Sequence, residues 1–256
     1  MDKRVEETVN RRARGLDRAF DILDALREAG RPLRPNEIAN AMGAPRSTIY
    51  EIVAALVKLD VLEAADAEGR VFLGRRLFLY GQAYGHHSDL PSRVGAVLDR
   101  LAMETQETAQ FCVLDGNKYT VAMMREGSRP FRISSSVGER TPIPWTASGR
   151  LLLGHMSERE IRELVPEADF QLPSGDWLDP ADFAEQSHRA LADGHFTFDS
   201  IVDSYTHCFA VPVLRPDRTA AATLCLVAPK ADALRNHADY LEKLRYAAVS
   251  LEPSFI

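Results

Sequence analysis

The sequence predicts an α+β chain built from two units, and three observations carry that prediction. The chain has 256 residues, too many for one small module. Apolar residues recur at helical spacing up to about residue 62, then shift to the alternation of strands. From about residue 91 to the C-terminus, helical and strand-like segments follow one another again.

Composition fits two ordinary cores. Hydrophobic residues make up 45% and charged residues 27%, so neither metal nor disulfide is needed to fold. Residues 1–90 carry 14 Lys/Arg and 14 Asp/Glu, which places the whole net charge of −6 in residues 91–256. A neutral first part can present a local basic face to phosphates while an acidic remainder stays away from a duplex. Cys112, Cys208 and Cys225 lie in apolar strand-like runs, and their odd number and wide spacing suit neither a disulfide framework nor a zinc site. A cytoplasmic chain is expected, because the first 15 residues are charged throughout and no apolar run is long enough to span a bilayer.

In the first unit, Leu16, Ala19, Phe20, Leu23 and Leu26 mark a helix from Gly15 to Ala29, stopped by Gly30. A short helix runs from Pro35 to Gly43 and leads into the turn Gly43-Ala44-Pro45. The third helix has Ile49, Ile52, Val53 and Leu56 on its inner stripe, with Arg46, Ser47, Thr48, Tyr50 and Glu51 crowding its N-terminal end and outer face. Strand-like residues around Glu63 to Ala65 and Arg70 to Leu73, joined by Asp66-Ala67-Glu68-Gly69, predict a hairpin. Three helices and a hairpin in this order make a winged helix-turn-helix. Such a third helix enters the major groove of double-stranded DNA, with Arg positioned to pair with guanine and Ser and Thr to reach phosphate or base edges. Arg14, which precedes the first helix, and Arg70, near the tip of the hairpin, are predicted backbone contacts. Protein-protein modules use similar helix sets; the tight second turn and the Arg-Ser-Thr opening favour DNA.

The strings Gly15-Leu-Asp-Arg-Ala-Phe-Asp-Ile-Leu, Ile38-Ala-Asn-Ala-Met-Gly-Ala-Pro-Arg-Ser-Thr-Ile-Tyr and Val71-Phe-Leu-Gly resemble the IclR family of bacterial transcriptional regulators. So do Pro142-Ile-Pro-Trp-Thr-Ala-Ser-Gly-Arg and Cys208-Phe-Ala-Val-Pro-Val, in the family's order and spacing. The resemblance implies a winged helix-turn-helix joined by a linker helix to a GAF-like mixed α/β effector domain. It also implies homodimers, often paired into tetramers, bound to a palindromic operator and modulated by a small organic acid. The domains expected are an arm at 1–14, the DNA-binding domain at 15–75, the linker helix at 76–90 and the effector domain at 91–256.

In the second unit, strands are expected at about 109–114, 118–124, 131–137, 196–201, 206–214 and 219–227. Helices are expected over Val94 to Thr105, after the capping sequence at Ser157, before Gly194, and up to about Leu251. Where the chain turns into a helix at Ala147, Ser148 and Gly149, free amides and the helix dipole favour a carboxylate. The resemblance adds Cys208 and Asp199, with Asp203 as the alternative acid; Ile133 and Trp145 are candidate apolar walls. Repression relieved by ligand is the leading function, with activation of a catabolic operon as the alternative. A ligand-free dimerising protein and a thiol enzyme using Cys208 and His207 are weaker ones. No catalytic residue, metal or cofactor is expected: His207 and Cys208 are strand neighbours that face opposite ways, and no phosphate-binding or hydrolase motif is present.

Overall fold

The computed structural model describes residues 3–129 and 136–255, with side chains from Gly15 onward apart from that of His86. The chain divides into two compact units, Met1–Ser88 and Asp89–Ile256.

The first unit contains α1 (Lys3–Ala29), α2 (Pro35–Ala41), α3 (Arg46–Lys58), the strands β1 (Leu62–Ala64) and β2 (Val71–Leu73), and α4 (Arg75–His87). Its core gathers Ile22 and Leu26 of α1, Ile38 and Ala39 of α2, Ile49 and Val53 of α3, and Leu62 and Val71 of the hairpin. Gly43 has φ +59° between α2 and α3, where its missing Cβ makes the sharp turn affordable. β1 and β2 pair antiparallel, and Leu33 bridges to Val71, so the wing is tied to the segment before α2.

α1 begins twelve residues before the expected start at Gly15. Its first half carries no apolar stripe, so periodicity could not reveal it. The segment is nonetheless rich in Arg and Glu and contains no Gly or Pro, and intrinsic propensity favours helix there.

The second unit starts with α5 (Leu90–Thr105). It continues through β3 (Thr108–Asp115), β4 (Lys118–Arg125), β5 (Arg140–Pro142), α6 (Ala147–Leu153), α7 (Glu158–Leu164) and α8 (Pro180–Asp193). β6 (Phe196–Asp199), β7 (Thr206–Leu214), β8 (Ala220–Pro229) and α9 (Lys230–Leu251) complete it. The strands form one antiparallel sheet in the order β5-β4-β3-β8-β7-β6. Alternation along the strands gives the sheet two apolar faces. Phe111, Phe209, Val211, Leu224 and Leu226 pack against α5 and α9. Cys112, Ala210 and Cys225 pack on the other side with α6 and α8. The short β5 went unforeseen because three residues bounded by Pro142 carry too little alternation to read. The strand expected at 131–137 falls largely outside the described residues.

Leu224 is fully buried in the central strand β8, in the core that the sheet shares with α5 and α9. Leu224→Ala is expected to lower the unfolding free energy by about 2–5 kcal/mol, measured by urea denaturation, since a rigid core refills such a cavity only in part.

Candidate effector cavity and nucleic-acid interface

α6 is short, and every one of its seven residues is buried. Thr146 opens it: its hydroxyl accepts the Gly149 amide at 2.9 Å and donates to the Ile143 carbonyl at 3.1 Å. Gly149 is where the helix meets the preceding turn. A Cβ there would lie 2.1 Å from the Ile143 carbonyl oxygen, so only glycine fits. With Gly149 satisfied by the cap, the amides of Ala147 and Ser148 are left without a hydrogen-bond partner among the described residues.

Those two residues form part of the wall of a cavity of about 440 Å³ between this helix start and the sheet. Trp145, Ala147, Ser148 and Cys208 all line it, joined by Gln110, Tyr119, Val121, Arg140, Phe198, Asp203 and Tyr205. The Trp145 indole is held by the carbonyls of Asp169 and Gln171, at 3.0 and 3.1 Å. Lys118 pairs with the Asp169 carboxylate behind it. Ser148 sits in a string of small polar groups: its hydroxyl accepts from Thr223 at 2.7 Å and lies 2.9 Å from Cys225 Sγ. Cys225 is 3.9 Å from Cys112, which meets the Tyr119 hydroxyl at 3.0 Å.

Two of the sequence-predicted positions, Asp199 and Gly149, are corrected, and of the two candidate acids the alternative, Asp203, lines the cavity. Asp199 does not line the cavity: β6 turns it to the opposite side from Phe198 and Ser200, where it meets His207 Nδ1 at 2.8 Å and Lys230 at 3.1 Å. Hydrogen bonds from His207 and then Lys230 hold its carboxyl below the ordinary range. Asp203 lines the cavity instead, but its oxygens accept from the Tyr205 and Thr206 amides and the Thr206 hydroxyl. Burial pushes that carboxyl up, and these hydrogen bonds more than reverse the push. Gly149 lies behind the wall as a packing residue rather than on it. Ile133 falls outside the described residues.

Cys208 faces the cavity while its neighbour His207 lies on the other face against Phe209 and His237. Burial pushes the Cys208 thiol up to about 12, with the nearby Cys225 adding to the shift. Burial likewise raises Cys112. These thiols are poor nucleophiles at neutral pH. Among the described residues no group of three or more His, Cys, Asp and Glu is placed to hold a metal ion.

Arg140 was missed as a cavity residue, and Arg150, which does not line the cavity, as a residue that braces its wall. Arg140 lines the cavity and pairs with Asp115. Arg150 stands one turn into α6, buried, with its Nη1 donating to the Thr146 carbonyl at 2.9 Å. Their signal was weak because an arginine in a polar loop and one inside an apolar helix read as a solvated residue and a boundary residue.

On the first unit, Arg46, Ser47, Tyr50 and Glu51 are exposed on α3, and Thr48 is half-buried. No side chain caps α3, so the amides of its first turn face outward unpartnered, a favourable place for a phosphate. The wing is less open than predicted. Arg70 is gripped by Asp66 at 3.0 Å and Glu68 at 3.1 Å, and Glu68 also pairs with Arg34. Arg70 therefore reaches a phosphate only by exchanging these carboxylates for it. The side chain of Arg14 lies outside the described ones.

Residues 15–66 match the IclR helix-turn-helix domain, and residues 82–252 match the bacterial transcriptional regulator IclR C-terminal domain. The chain belongs to the IclR family. Its relatives include the regulator KipR of Bacillus subtilis, 24% identical over 218 residues, spanning 84% of this chain and 87% of KipR. The Escherichia coli repressor AllR is 25% identical over 166 residues, covering 65% of this chain and 61% of AllR. These relatives are regulators and repressors, not enzymes. Among solved structures, the IclR regulator of Alicyclobacillus acidocaldarius superimposes with a TM-score of 0.78 at 19% identity, over 94% of this chain and 98% of that one. An IclR homologue of Microbacterium hydrocarbonoxydans, crystallised with 4-hydroxybenzoate, gives 0.71 at 23% identity over the same shares. The protein is thus an IclR-family transcriptional regulator with the family's fold.

The raised Cys208 pKa has a sign that can be tested. Between about pH 9 and 12 the folded thiol keeps a proton that the unfolded chain has lost, so stability falls as pH rises through that window. Cys208→Ala is expected to flatten part of the decline, measured as urea midpoints at pH 8, 9 and 10; an unchanged slope would assign the decline to other groups.

Proposed function

We propose that this regulator is a repressor of the IclR family whose operator binding is set by a small organic acid held in the cavity beside α6. The observation that carries the reading is the cavity itself: a walled space of ligand size where two unpartnered amides, those of Ala147 and Ser148, meet apolar walls from Trp145, Val121 and Phe198. Convergent donors in an otherwise apolar pocket are the usual composition of a small-molecule site. Arg140 lines the same cavity, and Arg150 braces the turn at its edge through the Thr146 carbonyl. The 4-hydroxybenzoate in the Microbacterium homologue is an acid of the proposed class, and the naming of AllR as a repressor supports repression here.

DNA binding is assigned to α3 of a dimer on a palindromic operator, with Arg46, Ser47, Thr48 and Tyr50 toward the bases and phosphates. Closed two-fold symmetry needs a self-complementary surface. Leu16 and Phe20 on α1, together with Phe78, Tyr80 and Tyr84 on α4, are large side chains more than half exposed in the first unit and supply the apolar area for it. Coupling between cavity and operator is reciprocal: an acid that weakens DNA binding must itself bind more weakly to the DNA-bound form.

Two variants test the reading on DNA flanking the protein's own gene. Arg46→Ala is expected to cost about 1–3 kcal/mol in operator affinity and to relax base preference at one position, measured by fluorescence anisotropy. A uniform loss on all sequences with a shallower salt slope would make Arg46 a phosphate contact. Ala147→Leu fills the cavity at the helix start. It is expected to abolish release of DNA by responsive carboxylates, with 4-hydroxybenzoate as the first tried, while DNA affinity holds; a full response in that variant overturns the site.

A further inference from the structure

Arg150 presents an unusual electrostatic situation. Only 7% of the residue is exposed, and burial pulls its pKa down to about 10, so it remains a cation at neutral pH. Its hydrogen bonds go to neutral acceptors alone: Nε to the Gln186 side-chain oxygen at 2.9 Å, and Nη1 to the carbonyls of Pro144 at 3.2 Å and Thr146 at 2.9 Å. The guanidinium lies over three aromatic faces, with its carbon 5.3 Å from the centre of Phe183, 4.7 Å from Phe196 and 5.6 Å from Phe198. No carboxylate pairs with it among the described residues.

Aromatic faces and carbonyls replace part of the lost hydration, but they carry no net charge. The positive charge is left standing inside the unit, about one helical turn from Ala147, which lines the cavity. Thr146, whose carbonyl the guanidinium holds, lines that cavity, and so does Phe198, one of the rings the guanidinium lies over.

We propose that Arg150 sets the charge selectivity of the cavity, favouring anionic occupants over neutral molecules of the same shape without touching them. It is a positioning residue with a field. It ties down the turn that presents the Ala147 and Ser148 amides, and it supplies the cation that an anion in the cavity answers. The inference rests on the reading of the cavity as a small-molecule site, and it defines what that site rejects.

Cys208, which lines the cavity, is a built-in probe. Its thiolate displaces iodide from iodoacetate, an anion, or from iodoacetamide, its neutral counterpart, and the ratio of the two rates cancels the reactivity of the thiol. The full-length protein is labelled at pH 9 with each reagent, and the Cys208 peptide is quantified by mass spectrometry against free cysteine. The decisive variant is Gln186→Glu, which sets a carboxylate against Arg150 Nε and neutralises the charge while keeping the guanidinium and its packing. The iodoacetate-to-iodoacetamide ratio is expected to fall about tenfold, as for a unit charge roughly 10 Å away at an effective dielectric constant near 20. Arg150→Gln is expected to lower the ratio likewise, and Arg150→Lys to restore it.

A purely structural Arg150 would leave the ratio unchanged in Gln186→Glu, which overturns the proposal while the small-molecule site stands. Failure of iodoacetamide to label Cys208 even at the slow rate its raised pKa allows, against full labelling of the urea-unfolded chain, would show a closed cavity and remove the site and the proposal together.

Discussion

The second unit depends on the burial of one seven-residue helix. α6 exposes none of its residues, so the polar groups at its start must be met by the chain itself or by what enters the cavity. The Thr146 hydroxyl takes the Gly149 amide, Gly149 permits contact with the Ile143 carbonyl, and Arg150 reaches back to the Pro144 and Thr146 carbonyls. What this bracing leaves unmatched, the amides of Ala147 and Ser148, is what faces the cavity. Structure and site are the same arrangement seen from two sides.

The surroundings keep that arrangement polar yet unreactive. The Ser148, Thr223, Cys225, Cys112 and Tyr119 string satisfies small polar groups against one another deep in the unit. Burial holds the Cys208 and Cys112 thiols protonated, which suits a binding wall rather than a nucleophile. Asp203 on the cavity wall is held by its own loop, and Asp199, on the other face of β6, by His207 and Lys230. In the first unit the same economy of charge appears at the wing, where Asp66 and Glu68 hold Arg70 and Arg34.

Much of the fold was legible in the sequence because its elements have strong periods. In the first unit α2, α3, the hairpin and the end of α1 were read within a few residues, as were most of the sheet strands. What escaped had no period to show: the charged first half of α1 and the three-residue β5. At the site, Ala147, Ser148, Trp145 and Cys208 were found through the residues around the helix start and the family resemblance. Asp199 was misplaced because one step along a strand reverses the face, and sequence could not choose between it and Asp203. Arg150 was invisible as a functional residue, since its importance lies in the lack of an anionic partner, a property of three-dimensional surroundings.

Trp145 allows the central claim to be tested in the molecule itself. The chain has two tryptophans, and Trp177 is exposed and does not line the cavity, so Trp177→Phe leaves Trp145 as the sole tryptophan reporter, on the cavity wall. The emission of this variant should be followed while small keto, sugar and aromatic carboxylates are added, each beside its neutral amide. The account predicts a saturable change in Trp145 emission for at least one carboxylate and a much weaker one for the matching amide. A flat response to every carboxylate, or equal responses to acid and amide, would contradict it.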